Sequence, residues 1–374
     1  MILQLRIMFD ECLIMAGGSG TRLWPASSSR LPKQFLPVSE KSTFFSMSLE
    51  RALSVTGKSG RVIIIAGKPH IPHVMTNAAK LSAAEKKRLL VISEPAAKNT
   101  APAIACAVVN SHLFGGKNML VLTSDHIINP PETFKDNAAI AAAAVKQGNL
   151  AVFGIPPSRP ETGYGYIEIG KVRKDGVYNV SAFHEKPDLQ TAKKYAASRR
   201  FFWNSGMFAF DISFMANEMR LLAPDVFLPF EKLKLPKDSE YTVSKGIKLL
   251  AWQGLKAAYR KTLGISFDYA IAEKCKKTVM IRVNFDWIDI GNWDEYAEIC
   301  GKNSSQVYGE KEASSCYVDS DIPVALAGVE DLIVVIRLGK KRNGACALIT
   351  RKGHTQKVRN IVEQIKKSGK NELL

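Results

Sequence analysis

Continuous apolar runs of strand length occur at residues 12–16, 61–66, 89–92 and 119–122, with no polar position interrupting the last two. Runs of that kind mark strands buried on both faces. Helix-length stretches lie between them at 43–56 and 101–114, and another at 133–147 precedes a strand at 150–154. Strands alternating with helices in this way predict an α/β domain on a parallel sheet. Farther on, the alternating stretch from 166 and a second strand at 177–184, separated by Asp175-Gly176, predict a β-hairpin. A helix is expected at 189–198. Residues 211–258 read as mostly helical and charged, broken by Pro224, Pro229 and Pro236. From about Gly301 the pattern changes. Short segments at 316–318, 331–338 and 345–349, separated by Gly, Asp and Asn, predict a small β-rich domain. It closes on a helix at 356–367, apolar at 358, 361, 362 and 365, a stripe that docks within its own chain or on a partner. Two domains are expected, 1–300 and 301–374.

The 374 residues are 46% hydrophobic and 23% charged, enough for one large core and a small one. No apolar run is long enough to cross a bilayer, and residues 1–9 are too short for a secretory signal and lack a small-residue cleavage site. A cytoplasmic protein without membrane association is expected, and residues 1–7 have no evident role. Six cysteines stand without Cys-x-x-Cys spacing, which indicates neither zinc nor disulfides. The net charge of +17 calls for anionic partners. Its Lys and Arg residues are spread along the whole chain without interleaved aromatics, so phosphorylated small molecules account for the excess and nucleic acid is not expected. Many of these charges are solvated surface. The stretch 337–343 is unusually basic, with no assigned role.

Ligands of parallel α/β sheets bind beyond the carboxyl ends of the strands, so the residues after each run carry the chemistry. After the first run comes Gly17-Gly18-Ser19-Gly20-Thr21-Arg22, a loop of little side-chain bulk ending on a guanidinium. Backbone N–H groups and one positive charge can converge there on an anion. The loop lacks the Gly-Lys-Ser/Thr of a P-loop and the third glycine of a dinucleotide fingerprint. Lys33, after Pro32, supplies a second cation. Most glycine-rich turns only connect elements, so the loop alone is weak evidence. Asn99 and Thr100 read most simply as helix caps, Asp125 as a turn residue, Gly163 and Gly165 as turn glycines, and Glu185-Lys186 as a surface pair.

Taken together, Gly17-Gly18-Ser19-Gly20-Thr21-Arg22-Leu23-Trp24-Pro25 and Pro32-Lys33-Gln34-Phe35-Leu36 resemble the signature of the sugar-phosphate nucleotidyltransferases, in particular the mannose-1-phosphate guanylyltransferases. Further segments resemble that family in the same order: Glu94-Pro95 to Pro102, Ser124-Asp125-His126, Pro160 to Glu168, Glu185-Lys186-Pro187, Trp203-Asn204-Ser205-Gly206 and Trp287 to Trp293. Thr123 stands where the family usually has proline. The resemblance implies a Rossmann-like, GT-A-like domain with a mixed, mainly parallel sheet and a small C-terminal domain resembling a left-handed β-helix. It also implies the reaction of GTP with α-D-mannose 1-phosphate to give GDP-mannose and pyrophosphate. Arg22 and Lys33 would be catalytic. Gly17, Gly18, Ser19, Gly20, Thr21, Lys98 and Asn99 would meet the nucleotide; Glu161, Gly165, Glu185, Lys186 and Asn204 would meet the sugar phosphate. Asp125 and Asp289 would carry Mg²⁺, the hard cation that shares oxygen ligands with phosphates. Asp268 would organise residues near the site, and Asp286 is expected to be structural. A homodimer is expected, and no phosphomannose isomerase domain after residue 374. Two other readings stay open: a related enzyme with a different base or sugar, and a non-catalytic regulatory subunit of similar fold.

Overall fold

The computed structural model describes residues 9–18, 20–173, 176–300, 307–309, 313, 315–339, 345–370 and 373–374. Ser19, residues 1–7 and residues 340–343 of the basic stretch lie outside the described residues. The strands in chain order are β1 (Phe9–Met15), β2 (Thr56–Gly67), β3 (Leu89–Glu94), β4 (Asn118–Thr123), β5 (His126–Asn129), β6 (Leu150–Ile155), β7 (Tyr166–Val172), β8 (Val177–His184) and β9 (Phe201–Asp211). They continue with β10 (Tyr241–Ser244), β11 (Ile247–Leu250), β12 (Thr278–Arg282), β13 (Asp286–Asp289), β14 (Val307–Gly309), β15 (Tyr317–Ser320), β16 (Val324–Leu326), β17 (Leu332–Arg337) and β18 (Cys346–Arg351).

Contact density divides the chain into two units. One comprises residues 1–17 with 48–287, and the other 18–47 with 288–374. The expected division at residue 300 follows where the motifs stop along the chain, whereas this division gathers the glycine loop from Gly18 onward with the C-terminal residues 288–374.

The first unit holds an eleven-stranded sheet in the order β10-β11-β3-β2-β1-β4-β9-β6-β12-β8-β7, with β7 also pairing β9. From β11 to β4 neighbouring strands run parallel, with Leu13 opposite both Ile63 and Val121. The expectation of a mainly parallel sheet needs correction beyond β4. There β9 runs antiparallel to β4 and to β6, and β7 and β8 form the expected antiparallel hairpin. The sheet is thus parallel from β11 to β4 and largely antiparallel beyond β4.

The helix Thr100–Leu113 is apolar nearly all round because it is buried on almost every side, beneath the helices Ile212–Leu222 and Pro224–Glu231. Asn99 caps it through Oδ1, which accepts from the Thr100 N–H at 2.9 Å. The stretch expected to be mostly helical contains helices at Ile212–Leu222, Pro224–Glu231 and Leu255–Lys261, and also the hairpin β10–β11. Its turn at Lys245-Gly246 has both residues at positive φ, the geometry of a two-residue hairpin turn.

In the second unit Trp293 is fully buried and its indole N–H donates to the Trp24 carbonyl at 2.8 Å. The Tyr296 hydroxyl donates to the Pro37 carbonyl at 2.6 Å, and the Trp24 indole to Leu373 at 2.7 Å. Strands β14 and β16 pair in parallel; β15 pairs in parallel with β17, and β17 antiparallel with β18. These ladders establish a small β-rich region; a β-helix is a finer description than they carry. The closing helix is Val358–Lys367, with Val358 and Val362 buried and its face against the turn Thr21–Leu23 of the same chain. No helix among the described residues is long and apolar enough to cross a membrane.

Candidate active site

The first unit brings together most of the residues expected to read a sugar phosphate. β7, β8 and β9 are neighbours, so Gly165 just before β7, Glu185 just after β8 and Asn204 on β9 converge. The Asn204 N–H donates to the Gly165 carbonyl at 2.8 Å. A Cβ on Gly165 would stand 2.8 Å from Glu185 Oε2, so only glycine leaves that carboxylate where it lies. Lys186 takes a positive φ of 41°, uncommon outside glycine, and its ammonium turns back onto the Glu185 carboxylate. Asn204 is fixed at both ends of its amide: Nδ2 donates to Asp268 Oδ1 at 2.6 Å, and Oδ1 accepts from the Gly206 N–H at 3.1 Å. Asp268 begins a short π-helical turn, Asp268–Ala272. Burial, reinforced by Glu185, pushes its carboxyl upward, opposed by the hydrogen bond from Asn204 and by Lys186.

Glu161 is placed differently from its neighbours. Its carboxylate accepts from the Gly163 N–H at 2.9 Å and from Arg159 at 3.2 Å, so it organises its own loop. The buried Tyr166 hydroxyl accepts from the Glu161 N–H and donates to the Glu161 carbonyl, both at 3.0 Å. Arg159 also lies over the Trp203 ring at 5.7 Å. Neither contact had a signal in residue spacing.

At the end of β4, Asp125 is partly exposed beside buried His126. The Trp287 indole donates to His126 Nδ1 at 3.1 Å. An indole nitrogen can only donate, so Nδ1 accepts and the neutral ring carries its proton on Nε2, which faces Asp125 Oδ1 at 3.8 Å. Tyr164 packs edge-on against both Trp287 and Trp203, linking this corner within one unit to the strand that carries Asn204. The Lys98 ammonium donates to the Thr262 carbonyl at 3.2 Å, while Asn99 caps its helix. Close by, burial raises the Glu94 carboxyl to about 7 against the opposing effect of the Tyr259 hydroxyl. Glu94 Oε2 would lie 3.7 Å from a Cβ on Gly17.

The second unit contains the rest of the glycine loop, Arg22, Lys33 and Asp289. Gly18 and Gly20 take positive φ of 97° and 54°, and a Cβ on Gly20 would stand 2.7 Å from the backbone nitrogen of Lys33. Arg22 is exposed in the turn Thr21–Leu23, which opens with Thr21. A Cβ on Gly291 would meet Arg22 Nη1 at 3.4 Å, and the Gly291 N–H donates to Glu295 at 2.6 Å. Lys33 Nζ meets Asp289 Oδ1 at 2.6 Å, so two residues assigned to phosphate and to metal hold each other. Asp286, at the start of β13, is exposed.

The Nucleotidyl transferase family matches residues 11–306. The mannose-1-phosphate guanylyltransferase of Escherichia coli (strain K12) is 34% identical over 374 residues, covering 96% of this chain and 74% of that protein. The xanthan biosynthesis protein XanB of Xanthomonas campestris pv. campestris is 33% identical over 368 residues, covering the same shares, 96% and 74%. A crystal structure described as mannose-1-phosphate geranyltransferase from Thermus thermophilus superposes with a TM-score of 0.74 at 27% identity, covering 95% of this chain and 99% of that one. A match over most of the chain, containing the glycine loop and the Glu185-Lys186 and Asn204 segments, shows that the chain belongs to the nucleotidyl transferase family.

Proposed function

We propose that the protein is a mannose-1-phosphate guanylyltransferase, joining GTP and α-D-mannose 1-phosphate into GDP-mannose with release of pyrophosphate. The observation that carries this reading is the cluster of Glu185, Lys186 and Asn204 around Gly165. There an ammonium for a phosphate stands beside an acceptor and an amide for hydroxyls. The relatives named mannose-1-phosphate guanylyltransferase support the choice of sugar and base.

The phosphate of the sugar is itself the nucleophile. One of its oxygens bonds to the α-phosphorus of GTP as the bond to the β-phosphate oxygen breaks, and pyrophosphate leaves with that electron pair. The protein therefore acts by alignment and by neutralising charge. Lys186 holds the sugar phosphate, Glu185 and Asn204 orient the hydroxyls, and Glu161 shapes the loop in front of them. In the second unit, Arg22 and the amides of Gly18, Gly20 and Thr21 receive the triphosphate, with Lys33 drawn to its oxygens. Gly17 is assigned to the triphosphate with the rest of its loop, and Lys98 and Asn99 to the nucleoside.

Asp125 and Asp289 offer carboxylate oxygens, the donors a hard divalent cation takes. Their side chains are 35% and 18% exposed, and Asp289 is paired with Lys33. Among the described residues no group of three or more His, Cys, Asp or Glu is gathered to hold an ion. Mg²⁺ would thus draw most of its ligands from phosphate and water, and when bound it would neutralise charge on the triphosphate. A homodimer is part of the same proposal and is read by sedimentation equilibrium.

The test is kcat/KM across a panel of GTP, ATP, UTP and dTTP, each with mannose 1-phosphate and with glucose 1-phosphate. The reading expects GTP with mannose 1-phosphate to lead. Preference for another pair would reassign the substrates, and turnover of none by folded protein would favour a regulatory subunit.

A further inference from the structure

Lys33 and Asp289 meet at 2.6 Å with only 8% and 18% of their side chains exposed. This is unlike a surface pair, whose long side chains wander. Gly20 packs so tightly on Lys33 that a Cβ would stand 2.7 Å from both its nitrogen and its own Cβ. The turn Lys33–Phe35 is buried along its whole length, and the ammonium lies 5.6 Å from the Phe44 ring. A stem enclosed in this way has few alternative rotamers, so the ammonium is held against the carboxylate.

We infer that Lys33 is a resident counter-cation that closes Asp289 to a divalent ion until a polyphosphate draws the ammonium away, an inference that rests on the metal role proposed above. A divalent cation arriving alone must displace the ammonium and leave it enclosed beside a second positive charge, which is unfavourable in a partly desolvated site. A triphosphate arriving with the cation offers Lys33 new anionic oxygens, so partners are exchanged and no charge is abandoned. Metal and nucleotide accordingly load together, and the metal alone binds weakly.

Mn²⁺ binding, followed by electron paramagnetic resonance on the full chain, tests this without turnover. Titrations are run with and without GTP, in the absence of sugar phosphate, on wild type, Lys33→Gln and Lys33→Arg, each checked by thermal melting. Without nucleotide, Lys33→Gln is expected to bind Mn²⁺ at least about tenfold more tightly than wild type, and Lys33→Arg no more tightly than wild type. Equal or weaker Mn²⁺ binding by Lys33→Gln, with wild type still binding Mn²⁺ alongside GTP, overturns the counter-cation role and leaves the metal role standing. A wild type that retains no Mn²⁺ beyond what free GTP carries overturns both.

Discussion

Adding one methyl group at Gly165 separates substrate reading from stability. An ideal Cβ there would stand 2.8 Å from Glu185 Oε2 and 3.7 Å from Asn204 Cβ. The atom that must yield is the end of a flexible carboxylate, and Gly165 is not among the glycines at positive φ, so an alanine meets little backbone strain. Glu185 is also the anchor of the Lys186 ammonium, so turning the carboxylate away disturbs both groups. Loss of one charge-assisted hydrogen bond to a bound hydroxyl or phosphate costs about 1.5–3 kcal/mol. That corresponds to about a 10- to 150-fold fall in kcat/KM for the sugar phosphate. The melting temperature is expected to stay within about 3 °C of wild type, because less than about 1 kcal/mol of folding energy is at stake. The assay is steady-state pyrophosphate release with mannose 1-phosphate varied at saturating GTP, then GTP varied at saturating mannose 1-phosphate, beside a thermal melt. The KM for GTP should be unchanged. Normal saturation by the sugar phosphate in Gly165→Ala, or an equal loss against both substrates, would refute the assignment of this cluster.

Three other substitutions probe different links. Gly20→Ala places its Cβ 2.7 Å from a backbone nitrogen at a φ of 54°. The left-handed conformation and the overlap together cost about 2–5 kcal/mol, so calorimetry should show a clear drop in melting temperature as well as in turnover. Tyr166→Phe leaves the Glu161 N–H and carbonyl without their shared partner. It should cost about 1–3 kcal/mol of loop order and raise the sugar-phosphate KM more than it lowers kcat, which initial-rate kinetics resolve. Burial raises the Glu94 carboxyl from 4.5 to about 7, with the Tyr259 hydroxyl opposing, so the folded chain keeps a proton that the unfolded chain releases. Stability should therefore fall as pH rises through that window, by about 3 kcal/mol at about 1.4 kcal/mol per pH unit. Urea unfolding of Glu94→Gln should lack that slope.

Much of the first unit was legible because its strands are buried on both faces. The runs at 89–92 and 119–122 became β3 and β4, and the helix expected at 101–114 is Thr100–Leu113. What pairs with what was not legible. β9 carries Asn204 inside an apolar strand whose composition is the same whether its neighbours run parallel or antiparallel, so its antiparallel pairing with β4 and β6 went unforeseen. The hairpin β10–β11 was hidden because Val243 and Lys248 sit on an exposed edge strand and its partner, where polar residues blur the alternation.

The candidate site divides in the same way. Motif order pointed to Glu185, Lys186 and Asn204, which the fold brings together around Gly165. It could not show that Glu161 would turn onto its own loop, because that depends on Arg159 and on a hydroxyl from Tyr166. Nor could it show that Lys33 and Asp289, 256 residues apart, would be bound to each other.

The most direct measurement of the central claim is pyrophosphate release from the purified chain supplied with Mg²⁺, GTP and mannose 1-phosphate, each omitted in turn, with GDP-mannose identified as the co-product. The account predicts release only when all three are present, in equal amount to GDP-mannose. Release without mannose 1-phosphate, or none from folded protein with all three, would contradict it.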